Sequence, residues 1–134
     1  MTGAYLDASA VVKLFKEEAE SEALVAELSA RTSLVSSELV AVEARCTARR
    51  LDRPDLLAGA ERVLATIELI ASDADILARA GGSFQPALSA LDAIHAATAL
   101  SVRDDLEAVF VYDSDLLSAM SAEGLRVVSP GVGI

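Results

Sequence analysis

Short apolar segments alternate along this chain with longer segments of helical periodicity, and this alternation is the feature that most restricts its fold. The predicted strands are residues 3–7, 32–36, 67–70, 109–112 and 126–128. Helical patterns fill the intervals between them, most clearly over residues 39–50 and 91–102. Strands that alternate with helices in this order pair in parallel, because each crossover helix returns the chain to the same end of the sheet. We therefore predict an α/β fold with a mostly parallel central sheet and helices on both faces, an α/β/α arrangement.

The size of the chain fits one domain, which we expect to span residues 1–134. Its 134 residues are 53% apolar, which is too apolar for a disordered chain and sufficient for one hydrophobic core. No apolar run of about 18 residues is free of charge, and Asp7 interrupts the N-terminal apolar run where a signal peptide needs continuity. The single cysteine, Cys46, excludes an intrachain disulfide. We expect a cytoplasmic protein with no membrane-spanning segment.

The charge balance argues against binding nucleic acid through a large positive surface. There are 11 Lys and Arg residues against 21 Asp and Glu residues, so the net charge is −10. Both lysines, Lys13 and Lys16, lie near the start of the chain. Any contact with RNA must therefore be local, and the basic cluster available for it is Arg45, Arg49, Arg50 and Arg53. This cluster is either a solvated helix face or a surface that holds RNA phosphates or the acidic groups of a partner.

Two of the clearest predicted strands end in a carboxylate, Asp7 and Asp113. In open α/β sheets the ligand site lies beyond the carboxyl ends of the strands, so these two side chains should face the same crevice. Each also has a structural interpretation. Asp7 could cap the helix that follows it, although Ser9 offers a hydroxyl for the same purpose, and either Asp113 or Asp115 could begin the helix at residue 116.

Two further acids occur on helical patterns that are otherwise apolar. Asp92 lies in the first turn of one helix, and Glu43 lies on another helix whose nearby residues Leu39, Val42 and Cys46 look buried. A carboxylate on an apolar face is unfavourable unless a positive charge compensates it, and no lysine lies nearby in sequence. Mg²⁺ or Mn²⁺, which prefer carboxylate and water oxygens, would compensate all four acids together.

Structural interpretations of the helical acids remain open. Asp92 could interact only with the dipole of its helix, and Glu43 could form an ion pair with Arg50, two turns further along. The only histidine, His95, follows Asp92 by one turn within apolar neighbours. We expect a buried, hydrogen-bonded, structural role for His95, and a position in the hydrophobic core for Cys46.

Four segments of the sequence resemble the motifs of the PIN-domain ribonucleases, and in particular of the VapC toxins of bacterial toxin–antitoxin pairs. They are residues 5–14, 36–50, 91–100 and 111–116, and the resemblance extends over essentially the whole chain. It implies that Asp7, Glu43, Asp92 and Asp113 chelate Mg²⁺ or Mn²⁺ for RNA hydrolysis. Ser9 matches the small hydroxyl residue after the first acid, and we place Asp115 behind the ligands as a supporting residue. Cleavage by a metal-activated water would leave a 5′-phosphate and a 3′-hydroxyl.

The resemblance also implies partners. An unregulated ribonuclease would kill its own cell, so we expect a small VapB-type antitoxin that represses its operon and wraps this protein. Arg45, Arg49 and Arg50 are candidate contacts for RNA or for that antitoxin. We further expect a homodimer, since the apolar content is high for so small a chain. The apolar residues proposed for its interface are Val11, Leu14, Phe15, Leu57 and Leu64.

Two other functions deserve comparison with a ribonuclease. A phosphoacceptor signalling domain would also gather aspartates at strand ends, but it needs a lysine late in the chain and none follows Lys16. A non-catalytic PIN-fold module that binds RNA or protein remains the alternative. Such a module would be expected to have lost one or more of the four acids, and all four are present.

Overall fold

Five parallel strands form one sheet in the computed structural model, which describes residues 3–133. The strands are β1 (Gly3–Leu6), β2 (Ser33–Ser37), β3 (Glu68–Ile70), β4 (Leu106–Phe110) and β5 (Val127–Val128). Their order across the sheet is β3-β2-β1-β4-β5, and every neighbouring pair is parallel. β1, the first strand in the sequence, is therefore the central strand, and the later strands lie on both sides of it. The predicted parallel α/β/α fold is confirmed.

Helices connect consecutive strands throughout the part of the chain that is described. They are α1 (Ala8–Phe15), α2 (Ser21–Leu28), α3 (Leu39–Arg50), α4 (Pro54–Leu64), α5 (Ala74–Ala80), α6 (Ala90–Ser101) and α7 (Ser114–Ala122). A single 3₁₀ turn, Arg103–Asp105, precedes β4. Pro54 stands in the first turn of α4, where its missing N–H has no helical partner to lose. Over residues 3–133, no helix is both long and apolar enough to cross a membrane.

The strands divide the core into two layers through the alternation of their side chains. On β1, Ala4 and Leu6 pack into the layer beneath α1 to α4, while Tyr5 packs into the layer beneath α6 and α7. On β4, Phe110 and Val109 alternate in the same way. Every residue of β1 is buried. The end of this central strand therefore opens into a region that the helices of both layers surround.

The fourth strand differs from its prediction. Residues 109–112 were expected to be extended, whereas β4 begins at Leu106 and ends at Phe110. Its beginning is set by pairing with β1, which brings Gly3 opposite Leu106. Beyond Phe110 the backbone leaves the sheet's ladder with β1, and the Tyr112 N–H donates to the Ser9 hydroxyl instead. Asp113 therefore follows the strand after a two-residue link and not directly.

Helix α3 buries a different face from the one expected. Its buried residues are Val40, Ala41, Ala44 and Ala48. Val42 is 59% exposed, and Cys46 is exposed as well, so the prediction that Cys46 lies in the core is wrong. Small side chains on the buried face let α3 pack closely against α1 and α4. The apolar environment inferred for Glu43 from Val42 and Cys46 is thus absent on that side of the helix.

The residues proposed for a dimer interface are mostly covered within this chain. Val11 and Leu64 are buried in the core, and Leu14 and Phe15 pack against it. Leu57 is partly covered by its surroundings. The prediction is therefore wrong for Val11 and Leu64, which the packing of α1 and α4 encloses in the core. Leu14, Phe15 and Leu57 are only partly buried, and their place at an interface stays a prediction. Within residues 3–133, the exposed large apolar residues are Val25, Val42, Leu51, Leu69, Leu77, Leu91 and Val132.

Candidate active site

Asp7 lies at the carboxyl end of the central strand and begins helix α1. Its Oδ1 accepts the Ala10 N–H at 3.0 Å, so Asp7 is the N-cap of that helix, and Ser9, expected as a possible cap, is not. The same oxygen accepts the Ser9 hydroxyl at 2.6 Å. Only 3% of Asp7 is exposed. The structural interpretation of Asp7 is therefore correct, but the cap uses one carboxylate oxygen and leaves Oδ2 outside both bonds.

Ser9 joins the ends of the two central strands. Its Oγ donates to Asp7 and accepts the Tyr112 N–H at 3.0 Å, which fixes the link that leads from β4 to Asp113. Asp113 in turn is the N-cap of α7, and its Oδ1 accepts the Leu116 N–H at 2.9 Å. Asp115 lies one residue inside this helix, and both aspartates are exposed. The helix at residue 116 is thus capped by Asp113 and not by Asp115.

Asp92 occupies the first turn of α6, behind the N-cap Ser89, whose Oγ accepts the Asp92 N–H. Partial burial raises the pKa of its carboxyl group, and the negative charge of Asp113 raises this pKa further. Glu43 acts in the same direction more weakly, while the hydrogen bond of Ser89 and the proximity of His95 oppose the rise. Asp92 therefore lies in the electrostatic field of acids from two other elements.

Glu43 projects from α3 toward α6, where it meets the only histidine. Its Oε1 lies 2.8 Å from His95 Nε2, and no bond joins Glu43 to Arg50, whose guanidinium contacts Thr47. His95 is 1% exposed, and its Nδ1 lies 2.7 Å from the Tyr5 hydroxyl. The expected buried, hydrogen-bonded role of His95 is therefore correct. The sequence did not indicate that one of its partners is a candidate site acid.

The four acids lie together, and the basic side chain found among them in the described chain is His95, which contacts Glu43. Within residues 3–133, no lysine or arginine forms an ion pair with any of the four. Lys13 pairs with Glu18 and Glu20, and Lys16 with Glu18. Burial raises the pKa of Asp7 to about 6. The hydrogen bonds from Ser9 and Ala10 oppose this rise, and the negative charge of Asp92 adds to it. Bringing these charges together is unfavourable unless a cation joins them.

The donor set suits a hard divalent cation bound partly through water. All four side chains offer carboxylate oxygens, the ligands that Mg²⁺ and Mn²⁺ prefer. Among the described residues, no group of three or more His, Cys, Asp or Glu side chains is close enough together to form a ready-made metal site. Mg²⁺ usually keeps several waters and takes only one or two carboxylates directly. The arrangement is therefore compatible with an ion that contacts some of these acids directly and others through water.

The basic cluster expected near the site is only partly free. Arg45 forms a two-point pair with Glu61, with its Nε 2.7 Å from one oxygen and a terminal nitrogen 2.9 Å from the other. Arg53 pairs with Asp55 in the same way. Arg49 and Arg50 are exposed at the end of α3, on the helix that carries Glu43. Of the three arginines proposed to bind RNA or a partner, these two keep their guanidinium groups outside ion pairs within residues 3–133.

Comparison with known proteins agrees with this fold. Residues 4–121 match the family described as the PIN domain. Ribonuclease VapC35 of Mycobacterium tuberculosis is 40% identical over 131 residues, which cover 95% of this chain and 96% of that protein. Ribonuclease VapC46 of the same species is 38% identical over 130 residues, or 97% of this chain and 99% of that one. The chain belongs to the PIN-domain family and, within it, to the VapC-type ribonucleases. The resemblance noted in the four motifs is confirmed.

Solved structures show the same fold at lower sequence identity. Mycobacterium tuberculosis VapC20, described as a sarcin-ricin loop cleaving toxin, superposes with a TM-score of 0.71 at 19% identity, covering 95% of this chain and 99% of that one. A toxin–antitoxin complex from Klebsiella pneumoniae gives 0.69 at 20% identity, covering 98% and 99%. VapBC2 of Rickettsia felis bound to a promoter DNA fragment gives 0.70 at 11% identity, covering 96% and 98%. These likenesses concern the fold.

Replacing Asp7 by asparagine should stabilise the metal-free protein at neutral and higher pH. The folded-state pKa of about 6 exceeds the ordinary value of 3.8, so the folded protein binds more protons than the unfolded chain between these values. Stability from this group is therefore lost as pH rises through 6, and the ionised form costs on the order of 3 kcal/mol at pH 8. We expect Asp7→Asn, which keeps the cap acceptor, to raise the free energy of unfolding by roughly 1–3 kcal/mol at pH 8 and little at pH 4.

Urea unfolding in EDTA at pH 4, 6 and 8 measures this effect. Asp113→Asn is the matched control, because it makes the same chemical change at another helix N-cap whose side chain is exposed. It should show no comparable gain at pH 8. Equal stability of wild-type protein and Asp7→Asn at pH 8 would contradict the assigned burial cost.

Proposed function

We propose that this chain, as one PIN domain over residues 1–134, is a Mg²⁺- or Mn²⁺-dependent endoribonuclease and the toxin of a type II toxin–antitoxin pair. The observation that carries the proposal is the set of four acids at one end of the sheet without a lysine or arginine ion pair in the described chain. Kinship with Ribonuclease VapC35 and Ribonuclease VapC46 supports the same activity. We infer a cytoplasmic location from this function.

The acids that would hold the ion are Asp7, Glu43, Asp92 and Asp113. When bound, the ion supplies an activated water at neutral pH and stabilises negative charge on the scissile phosphate. Ser9 keeps one oxygen of Asp7 engaged and fixes the backbone before Asp113. Asp115 follows Asp113 on the exposed side of α7 and adds negative charge near the same edge. Asp7 and Asp113 are thus positioned as helix N-caps, whereas Glu43 and Asp92 project from within α3 and α6.

RNA would be held by few positive groups. Arg49 and Arg50 lie about 10 Å along the helix axis from Glu43, since Arg50 is seven positions further along α3 at about 1.5 Å per residue. This spacing would let them contact the phosphates that flank a scissile bond near Glu43. Arg45 is held by Glu61 and would need to exchange that partner for a phosphate. With so few contacts, binding should depend only modestly on salt.

Removing charge from any of the four acids should abolish RNA cleavage while the protein remains folded. We expect Asp7→Asn, Glu43→Gln, Asp92→Asn and Asp113→Asn each to lower the cleavage rate by roughly 100-fold or more, because each weakens the hold on a catalytic ion. EDTA should abolish wild-type cleavage, and Mn²⁺ should restore it. The measurement is cleavage of total cellular RNA, followed by sequencing of its new 5′-phosphate ends.

Asp104→Asn provides a matched control for this series. Asp104 is exposed in the 3₁₀ turn before β4, at the opposite end of the sheet from the crevice, so the same charge change there should leave cleavage intact. Full wild-type activity in EDTA would contradict the metal-dependent mechanism. Mn²⁺ binding at the acids without cleavage of any RNA would favour the alternative, a non-catalytic PIN-fold module that binds RNA or protein.

An antitoxin is the second part of the proposal. Related structures include a toxin–antitoxin complex from Klebsiella pneumoniae and VapBC2 of Rickettsia felis. The acidic crevice would accept an arginine from a VapB-type partner, since a guanidinium forms strong paired bonds with carboxylates. Such an arginine would form an ion pair with Asp7, Asp92 or Asp113 in place of the cation. Apolar side chains exposed on the surface would receive a helix of the partner.

Inhibition by the cognate antitoxin should then compete with metal. We expect rising Mn²⁺ over the purified complex to restore cleavage in part. Reversing the charge of the inserted arginine should free the enzyme without dissociating the complex, because the apolar contacts remain. Cleavage assays paired with size-exclusion chromatography measure both effects. Inhibition that is indifferent to Mn²⁺ would show instead that the antitoxin blocks the path of the RNA.

We also propose a homodimer, now without Val11 and Leu64, which are buried within the chain. Among the described residues 3–133, seven large apolar side chains are exposed, including Val42 beside Glu43 and Leu91 beside Asp92. Burying such residues between two copies would stabilise an assembly of about twice 13.9 kDa. Light scattering at tens of micromolar protein measures the mass directly. A monomeric mass at that concentration would contradict the dimer.

A further inference from the structure

A buried chain of hydrogen bonds connects the centre of the sheet to the candidate site. The Ser37 N–H donates to the Tyr5 hydroxyl at 3.2 Å, and this hydroxyl lies 2.7 Å from His95 Nδ1. On the far side of the ring, His95 Nε2 lies 2.8 Å from Glu43 Oε1. Tyr5 and His95 are almost wholly buried, whereas the Glu43 side chain is 20% exposed. The chain therefore runs from the core to an acid at the crevice.

The direction of these bonds follows from the Tyr5 hydroxyl. A phenol keeps its proton at neutral pH, because the ordinary pKa of a tyrosine is about 10. Its oxygen already accepts the Ser37 N–H. Its proton therefore points to His95 Nδ1, the acceptor at 2.7 Å. A ring whose Nδ1 accepts a bond carries its proton on Nε2 in the neutral form.

The Glu43 carboxylate supports this direction from the other side of the ring. A carboxylate oxygen only accepts hydrogen bonds, so the 2.8 Å contact between Glu43 Oε1 and His95 Nε2 requires the proton on Nε2. In a neutral ring Nδ1 is then the acceptor, which matches the phenol at 2.7 Å. The neighbouring hydroxyls of Ser36 and Thr98 give their own protons to the carbonyls of Leu6 and Ile94. The ring therefore presents an Nε2–H to Glu43.

We propose that Tyr5 and His95 form a positioning pair that holds the Glu43 carboxylate in the orientation needed to bind the catalytic cation. This inference rests on the proposed function, in which Glu43 is one of the ligands. The Nε2–H engages Oε1 and leaves Oε2 outside that bond. A glutamate on a partly exposed helix face otherwise samples many rotamers, and fixing one in advance favours ligation. Tyr5 acts through His95, and His95 acts through Glu43.

The placement of His95 relative to Asp92 fits this role. Both lie on α6, three residues apart, so they share one face of the helix and project toward the same side. Glu43 comes from α3, which packs in the other helical layer, on the opposite face of the sheet from α6. The imidazole is thus the link that ties an acid of α3 to the helix that carries another acid. A purely structural histidine needs partners but does not require that one be a partly exposed site carboxylate.

The single histidine allows a direct spectroscopic test, because every imidazole nitrogen signal of the protein belongs to His95. In ¹⁵N-labelled, metal-free protein we expect a protonated Nε2 and an unprotonated Nδ1. Tyr5→Phe removes only the phenol oxygen, so Nδ1 loses its hydrogen-bond donor and its ¹⁵N signal should shift, while Nε2 keeps the proton that it donates to Glu43. Tyr112→Phe is the matched control, since it removes the other tyrosine hydroxyl of the chain, which donates to the Pro130 carbonyl. It should leave the imidazole spectrum unchanged.

Mn²⁺ affinity, measured by water proton relaxation without RNA, tests the purpose of the pair. We expect His95→Leu to weaken Mn²⁺ binding by roughly 10–100-fold and Tyr5→Phe by a smaller factor. His95→Gln, whose side-chain amide can still donate to Glu43, should stay within about threefold of wild type. Circular dichroism and thermal unfolding check that each variant is folded. Recovery by His95→Gln is a result that a merely space-filling histidine would not produce.

The outcomes separate this inference from the proposed function. Unchanged Mn²⁺ affinity in Glu43→Gln would overturn the proposed role of Glu43 as a ligand, and the purpose of the pair with it. Weakened binding in Glu43→Gln beside unchanged binding in both His95→Leu and Tyr5→Phe would overturn the positioning role alone. An Nδ1–H ring in the wild-type spectrum would overturn the assigned direction of the bonds.

Discussion

The carboxyl group of Asp7 is buried at the end of a strand whose every residue is buried, and this costs free energy that the surrounding structure must offset. A carboxylate withdrawn from water needs donors, and Asp7 finds them in the first turn of α1 and in the Ser9 hydroxyl. The immediate passage from strand to helix follows from this need. A longer connection would remove the Ala10 N–H from reach and leave the charge without its backbone partner.

The same hydrogen bonds that make the fold possible also set out the site. Ser9 satisfies Asp7 and also the backbone before Asp113, so the ends of β1 and β4 are held together by one hydroxyl. Asp113 begins α7 as Asp7 begins α1. Both acids are therefore part of the hydrogen bonding that forms the fold. At the carboxyl ends of β1 and β4, these polar groups satisfy backbone N–H groups that lie beyond the strands.

The sequence was sufficient for the architecture because strand and helix periodicities are local signals. Parallel pairing and the two helical layers follow from the order of these elements, and the crevice follows from their carboxyl ends. The limits of β4 were missed because they depend on its register with β1, which no local pattern reports. The apolar character of Val42 and Cys46 also predicted the wrong buried face for α3, because that helix buries mainly alanines. Residue type does not reveal which face of a helix a neighbour will cover.

The environment of Glu43 illustrates a deeper limit. Its partner, His95, is 52 residues away and on a helix of the opposite layer, so no spacing rule could pair them. A single sequence shows which residues share one helix face, and Asp92 and His95 were recognised in this way. It does not show which side chains of another element meet that face. Contacts between elements are set by the packing of the two layers against the sheet, which is a property of the whole domain.

The double use of Asp7 and Asp113, each a helix cap and a candidate ligand, has a consequence for how such a protein can lose its activity in a lineage. Most replacements at these positions would remove a cap worth about 1 kcal/mol and yield a protein that cells degrade. Asparagine keeps the cap and removes the charge, and every aspartate codon becomes an asparagine codon by one transition in its first base. A single base change can therefore silence the protein and still preserve its shape, so inactive descendants would persist as folded proteins.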